Sequence, residues 1–190
     1  YVLVTYGDIP LVRTETLQEL LSAQQAHDGP ISVLTLVADD PRGFGRIVRD
    51  ENGAVIAIVE EAQASAEQLA IGELNTGVFC FSADWLWDAL NQIELSPKGE
   101  YYLTDLVEIA VNEGQSVQAY IVEDPSEMIG INTRIHLSEA AERMQQRINQ
   151  EWMLAGVTIQ DSRSTYIEPG VKIGRDSVIA PNTYLKGDSR

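Results

Sequence analysis

The chain has 190 residues, 44% hydrophobic and 22% charged, which suits one ordinary domain or one domain with a small appendage and excludes general disorder. Thirteen Lys+Arg face 29 Asp+Glu, a formal net charge of -16. A surface that negative repels phosphate backbones and excludes general nucleic-acid binding, although a metal ion between carboxylates and phosphates leaves nucleotides admissible. The only cysteine, Cys80, rules out an internal disulfide. With His27 and His136 it makes three soft ligands, too few for a structural zinc site of Cys and His alone. No stretch approaches the roughly 18 apolar residues of a membrane span, and no signal-peptide pattern opens the chain, so a cytoplasmic protein is expected.

In chain order, residues 1–6 read as a buried strand that ends in the turn Gly7-Asp8-Ile9-Pro10. A buried strand at residue 1, without an initiator Met, predicts that further sequence precedes it. Thr16 and Glu19 have capping-box spacing ahead of a helix with Leu17, Leu20 and Leu21 on one stripe, stopped by Gly29-Pro30. Residues 31–38 read as a second buried strand. Asn52-Gly53 between Ile47-Val48 and 55–59 predicts a two-residue hairpin. Residues 73–82 read as a strand, 84–91 and 103–113 as helices, and the alternation of Val117, Ala119 and Ile121 as another strand. Interleaved strands and helices make the class α/β with a mixed sheet.

A long helix is expected over 135–155, with Leu137, Ala141, Met144, Ile148, Trp152 and Ala155 at a helical period and Gly156 just beyond its end. The composition then changes. Ile167, Ile173, Ile179 and Leu185 recur every six residues, with Val171, Ser177 and Thr183 on the same step. This is the hexapeptide signature of a left-handed parallel β-helix. So short a repeat exposes an open end, so the chain reads as cut at both ends.

Few segments carry chemistry on their own. Gly43-Phe44-Gly45 opens like a dinucleotide fingerprint, but Val48 stands at the third glycine and a hairpin follows, so a dinucleotide site is rejected. There is no phosphate-binding P-loop sequence and no nucleophile beside either histidine. Asp8 sits at a strand's carboxyl end, where α/β sheets gather ligands and a hard ion such as Mg²⁺ takes oxygen donors; it reads equally as a turn cap before proline. Asn132 offers a neutral oxygen before the long helix, or an N-cap. Glu60 is a candidate ligand or a solvated carboxylate, Asn75 a contact or a turn residue, and Thr104 a contact or a helix cap.

Together the segments Tyr6-Gly7-Asp8-Ile9-Pro10-Leu11, Gly43-Phe44-Gly45-Arg46-Ile47, Ile58-Val59-Glu60, Glu73-Leu74-Asn75-Thr76-Gly77, Glu100-Tyr101-Tyr102-Leu103-Thr104-Asp105 and Gly130-Ile131-Asn132 point to one family. In this order, followed by a long helix and hexapeptide repeats, they resemble the bacterial bifunctional N-acetylglucosamine-1-phosphate uridyltransferase/glucosamine-1-phosphate acetyltransferases. The resemblance implies the C-terminal part of a Rossmann-like nucleotidyltransferase domain over 1–134, a linker helix over 135–156, and the first coils of a left-handed β-helix over 157–190. It implies uridylyl transfer from UTP to N-acetylglucosamine 1-phosphate, giving UDP-N-acetylglucosamine for peptidoglycan and lipopolysaccharide synthesis. A second, acetyl-CoA-dependent site lies on a β-helix homotrimer.

Residue by residue, Asp8 and Asn132 match the family's Mg²⁺ ligands. Gly45, Glu60 and Asn75 match contacts to the N-acetylglucosamine part, and Tyr102 and Thr104 match further contacts on that side. The family's glycine-rich L-A-A-G-x-G-T-R-M loop, with its catalytic arginine, has no counterpart between Tyr1 and Arg190. Catalytic residues are therefore expected upstream, and this piece alone is expected to be inactive. Ala62 stands where the family usually has lysine. Two other readings remain open: a related sugar-1-phosphate nucleotidyltransferase with another base or sugar, and a non-catalytic trimerisation or regulatory module.

Overall fold

A computed structural model describes residues 1–96, 98–187 and 189. The chain divides into two compact units, Tyr1–Met128 and Ile129–Arg190. Among the described residues no helix is long and apolar enough to cross a membrane.

The first unit is a mixed sheet with helices on both faces. Its strands are β1 (Val2–Val4), β2 (Ile31–Val37), β3 (Arg46–Arg49), β4 (Val55–Val59), β5 (Glu73–Phe81) and β6 (Val117–Ile121). Its helices are α1 (Thr14–Ala26), the short α2 (Ala66–Leu69), α3 (Ala83–Ala89) and α4 (Asp105–Asn112). The strand order is β4-β3-β5-β2-β6, and β1 pairs with β5. Only the β2–β6 pair is parallel within this sheet.

Alternation along the strands builds two cores, one on each face. Ile31, Val33, Phe79 and Phe81 pack with Leu86, Ala89, Leu106, Val107 and Ala110 from α3 and α4. Leu34, Leu36, Leu74, Val78 and Cys80 face the other way, with Leu20 of α1 and Met128. Each such fully buried aliphatic or aromatic side chain contributes about 1.5–3 kcal/mol of burial free energy. Cys80 belongs to this core, and burial raises the pKa of its thiol, as suits a packing residue.

Two local expectations are revised here. Thr16 and Glu19 form no capping box: the cap position of α1 is Arg13, without a side-chain cap bond. The carboxylate of Glu127, 3% exposed, accepts instead from the Arg13 backbone N–H at 2.9 Å and from the Thr16 hydroxyl at 2.7 Å. A long-range carboxylate thus satisfies the amino end of α1, where negative charge is favoured. The hairpin turn is longer than two residues: the Asp50 N–H donates to the Ala54 carbonyl at 2.9 Å, and Gly53 alone takes positive φ, +85°. The Asp50 carboxylate accepts from the N–H groups of Asn52 and Ala54, which hold the turn and lower its pKa.

In the second unit α5 (Arg134–Leu154) is capped by Thr133, whose hydroxyl accepts from the His136 N–H at 3.2 Å. Its expected apolar stripe is only partly covered: Leu137 is 43% exposed, and the buried positions are Ala140 and Asn149. Short strands β7 (Thr158–Ile159), β8 (Tyr166–Ile167), β9 (Val178–Ile179) and β10 (Tyr184–Leu185) follow. They pair in parallel, Thr158 opposite Val178 and Tyr166 opposite Tyr184. Ile167 and Val171 are buried, while Tyr166, Val178 and Tyr184 face out. The Tyr166 and Tyr184 rings stack with centroids 5.2 Å apart.

Asn149 joins helix to strands. Fully buried, its amide donates to the carbonyls of Ser162 and Thr165, both at 2.9 Å. Removing it leaves both carbonyls without that donor, and a buried unpaired polar group costs about 1–3 kcal/mol. Asn149→Ala is expected to destabilise the second unit by about 2 kcal/mol, seen as faster amide exchange over residues 162–167. Unchanged exchange there would show that the bonds contribute nothing.

Candidate functional site

The site is assembled at the end of β5 nearest β3 and β4. The Gly45 carbonyl, just before β3, accepts from the Asn75 N–H of β5 at 2.8 Å. Across the hairpin, a Cβ placed on Gly45 would meet the Val59 carbonyl at 3.2 Å, Ile58 Cγ2 at 3.3 Å and the Glu60 carboxylate at 3.6 Å. Position 45 is therefore small because β4 and Glu60 occupy the space a side chain would take. A side chain there would crowd the Val59 carbonyl and Ile58 first, with Glu60 at ordinary contact distance.

Glu60 is not a freely solvated carboxylate. Its Oε1 accepts from the Thr104 hydroxyl at 3.0 Å. Thr104, 6% exposed, precedes α4 but makes no side-chain cap bond with it. Its hydroxyl is committed to Glu60, so the alternative reading as a plain helix cap does not hold. Tyr102, from the same approach to α4, donates to Glu100 at 2.7 Å. That bond is the first cause of its raised pKa, and the negative charge of Glu60 adds to it.

Asn75 lies in a bulge. The β2–β5 register slips between Leu34 opposite Val78 and Thr35 opposite Asn75, leaving Thr76 and Gly77 extra. Thr76 donates to the Leu34 carbonyl at 2.7 Å, and the Asn75 side-chain oxygen accepts from the Gly77 N–H at 3.0 Å. Asn75 is thus both a turn residue and a group aimed by the turn, as bulges next to sites commonly are. Gly77 needs its freedom twice: φ is +77°, and a Cβ there would fall 1.9 Å from the Tyr6 ring.

Tyr6 ties Asp8 to the same place. Its phenol pKa is raised, first by burial, then by the negative charges of Glu60 and Asp8. Asp105 is raised as well, by burial first and then by Glu108 and Glu60. Gly45, Glu60, Asn75, Tyr102 and Thr104 therefore fall in one neighbourhood of the first unit, with Asp8 acting on it through Tyr6. Asn132 is exposed and belongs to the second unit, where its N–H donates to the His136 ring at 3.3 Å. Because Thr133 takes the cap, the Asn132 carboxamide is not spent on it.

Sequence reasoning passed over Tyr6, Glu100 and Asp105 as site residues. A glycine inside a strand, Gly77, was the available signal for a close approach by Tyr6. The environment is electronegative, with carboxylates at 8, 60, 100 and 105. Its charge chemistry suits cations and hydroxyl-bearing ligands better than bare anions. Among the described residues no group of three or more His, Cys, Asp and Glu forms a metal cage.

Comparison with known proteins gives the family. Residues 1–156 match the Nucleotidyl transferase family. The chain is 44% identical over 187 residues to the Bifunctional protein GlmU of Bacillus subtilis, covering 98% of this chain and 41% of that protein. It is 46% identical to that of Exiguobacterium sibiricum and 44% to that of Geobacter metallireducens. The chain spans about two fifths of the length of these relatives. It belongs to the nucleotidyl transferase family.

The coupling of Tyr6 to Glu60 is directly testable. In Glu60→Gln the Tyr6 phenol is expected to titrate at lower pH than in the unaltered chain, because one of the charges that raise its pKa is gone. Burial still holds it above the ordinary tyrosine range. A ¹³C NMR titration of the tyrosine ring carbons reads this, and an unmoved Tyr6 curve would separate the two residues.

Proposed function

We propose that this member of the family is the sugar-phosphate-binding part of an enzyme that transfers a uridylyl group from UTP to N-acetylglucosamine 1-phosphate. The observation that carries the reading is the junction of Gly45, Glu60 and Thr104, joined to Asn75 through the Gly45 carbonyl, which we read as a carboxylate-edged cradle. Such a cradle suits a neutral, hydroxyl-rich ring. The name of the relatives, Bifunctional protein GlmU, agrees with a nucleotidyl transferase joined to a second activity.

Gly45 lets β4 pack closely against the start of β3, which sets Glu60 beside Asn75. Glu60, its orientation fixed by Thr104, accepts from sugar hydroxyls, and Asn75 supplies an amide aimed by the bulge. Tyr102, held by Glu100, lies toward the same side. The sugar phosphate oxygen attacks the α-phosphorus of UTP in line, the bond to the bridging oxygen breaks, and pyrophosphate leaves with the electron pair. No protein nucleophile is needed, so the chain's part is positioning.

Asp8, in the turn after β1, would hold Mg²⁺, and Asn132, in the second unit, is the family's other candidate donor by resemblance. Both donors are hard oxygens on exposed positions, and Mg²⁺ is usually held by one or two protein groups with water and substrate phosphates completing its shell. When bound, the ion neutralises phosphate charge that an acidic site would otherwise repel.

The second unit reads as a linker helix over 135–156 and the first coils of a left-handed β-helix over 157–190. The parallel pairs Tyr166–Tyr184 and Ile167–Leu185, one hexapeptide triplet apart, support this. In the whole protein that β-helix would assemble a homotrimer and carry acetyl transfer, in a cytoplasmic enzyme.

The test uses the product of the full reading frame, assayed for pyrophosphate release from UTP, N-acetylglucosamine 1-phosphate and Mg²⁺. Asn75→Ala is expected to raise KM for the sugar phosphate about tenfold, in line with a lost polar contact, and to leave KM for UTP nearly unchanged. An equal rise for both substrates, or preference for a different sugar phosphate, would contradict the assignment.

A further inference from the structure

Arg46 is 1% exposed, one of the largest fully buried side chains in the molecule. It begins β3 between two neighbours, opposite Val59 of β4 and Leu74 of β5. A guanidinium so enclosed has lost its water and must be held by protein oxygens. One terminal nitrogen donates to the carbonyl of Phe44. The other donates to the Glu61 carboxylate at 3.1 Å. Among the described residues the buried Nε has no partner, so these contacts carry the group.

The two partners are not arbitrary. Phe44 immediately precedes Gly45, and Glu61 immediately follows Glu60. One planar cation therefore ties together the chain on either side of the cradle, from the opposite strands of the hairpin. Glu61 starts the single turn Glu61–Gln63 that leads the chain away from Glu60. The other bonds at these segments are local or single: the Phe44 N–H donates to the Pro41 carbonyl and Gly45 accepts from Asn75, while Glu60 accepts from Thr104 at its side chain and from the Gln63 N–H at its carbonyl.

We infer that Arg46 and Glu61 form a positioning pair that sets the separation of Gly45 and Glu60 in the sugar cradle, an inference that rests on the sugar-site reading above. Arg46 is enclosed and touches no ligand itself. Its charge is spent on geometry. The fork matters as well as the charge: lysine, a point cation, cannot reach the Phe44 carbonyl and the Glu61 carboxylate with fixed angles. Glu61, partly exposed, can be altered without opening a cavity.

The experiment measures binding of N-acetylglucosamine 1-phosphate with Mg²⁺ to the 190-residue chain by calorimetry. The variants are Glu61→Ala, Glu61→Gln and Arg46→Lys, each checked by circular dichroism to be folded at the working temperature. Amide exchange at residues 44–46 and 60–63 is followed in parallel. Glu61→Ala and Arg46→Lys are expected to weaken binding about tenfold or more and to speed exchange at both segments, as loss of a charge-assisted bond implies. Glu61→Gln keeps an acceptor oxygen and is expected to restore most of the affinity. A merely structural role would lower the melting temperature without this rescue pattern in affinity. If the unaltered chain binds and Glu61→Ala binds within about twofold of it, the positioning pair is overturned and the sugar site stands. If the unaltered chain does not bind at all, the sugar-site reading fails, and this role fails with it.

Discussion

Strand β5 sets the terms for the first unit. Eight of its nine residues are buried, so both edges must find backbone partners in the protein. One edge is filled by β2 along its length. The other is divided between β3 near its start, through Arg46 opposite Leu74, and β1 near its end, through Phe79 to Phe81. The chain between these two pairings is where the bulge falls. There Thr76 replaces a ladder bond with its own hydroxyl, and Gly77 makes room for the Tyr6 ring. The candidate site occupies the gap that this divided edge creates, so the pairing of β5 determines which side chains can meet there.

The electrostatics follow from that placement. Glu60, Asp8 and Asp105 are brought near one another by strands and turns whose own bonding is satisfied elsewhere. The charges of Glu60 and Asp8 raise the pKa of Tyr6, and those of Glu108 and Glu60 raise that of Asp105, in both cases beneath a larger effect of burial. The one large cation of the region, Arg46, is buried with Glu61 and does not neutralise the cradle's surface. An anionic substrate therefore needs its sugar bound through hydroxyls and its phosphate accompanied by a metal ion, which is the division of labour proposed for Glu60 and Asp8.

Much of the fold was legible because it is written in local periodicity. The apolar run at 31–38, the helical stripe after Thr16 and Gly156 beyond α5 each report a short-range pattern. What could not be read is what depends on distant partners. Thr16 had the spacing of a cap but answers to Glu127, over a hundred residues on. Thr104 looked like a cap but serves Glu60. Asn132 had the place of an N-cap, but the helix starts one residue later and the adjacent Thr133 takes the cap. The hairpin was read correctly, but not the length of its turn, because the Asp50 carboxylate organises the loop from outside the Asn-Gly pair. For the site, the motifs gathered Gly45, Glu60 and Asn75 by resemblance. Their physical association through Val59, Thr104 and the β5 bulge emerged only from the fold.

The central claim is that a sugar 1-phosphate sits against Gly45, Glu60 and Asn75. The most direct measurement is an NMR titration of the ¹⁵N-labelled chain with N-acetylglucosamine 1-phosphate in the presence of Mg²⁺. The account predicts saturable shifts concentrated at the amides of Gly45, Asn75, Gly77 and Thr104. Absence of shifts, or shifts confined to the Tyr166–Tyr184 face of the second unit, would contradict it.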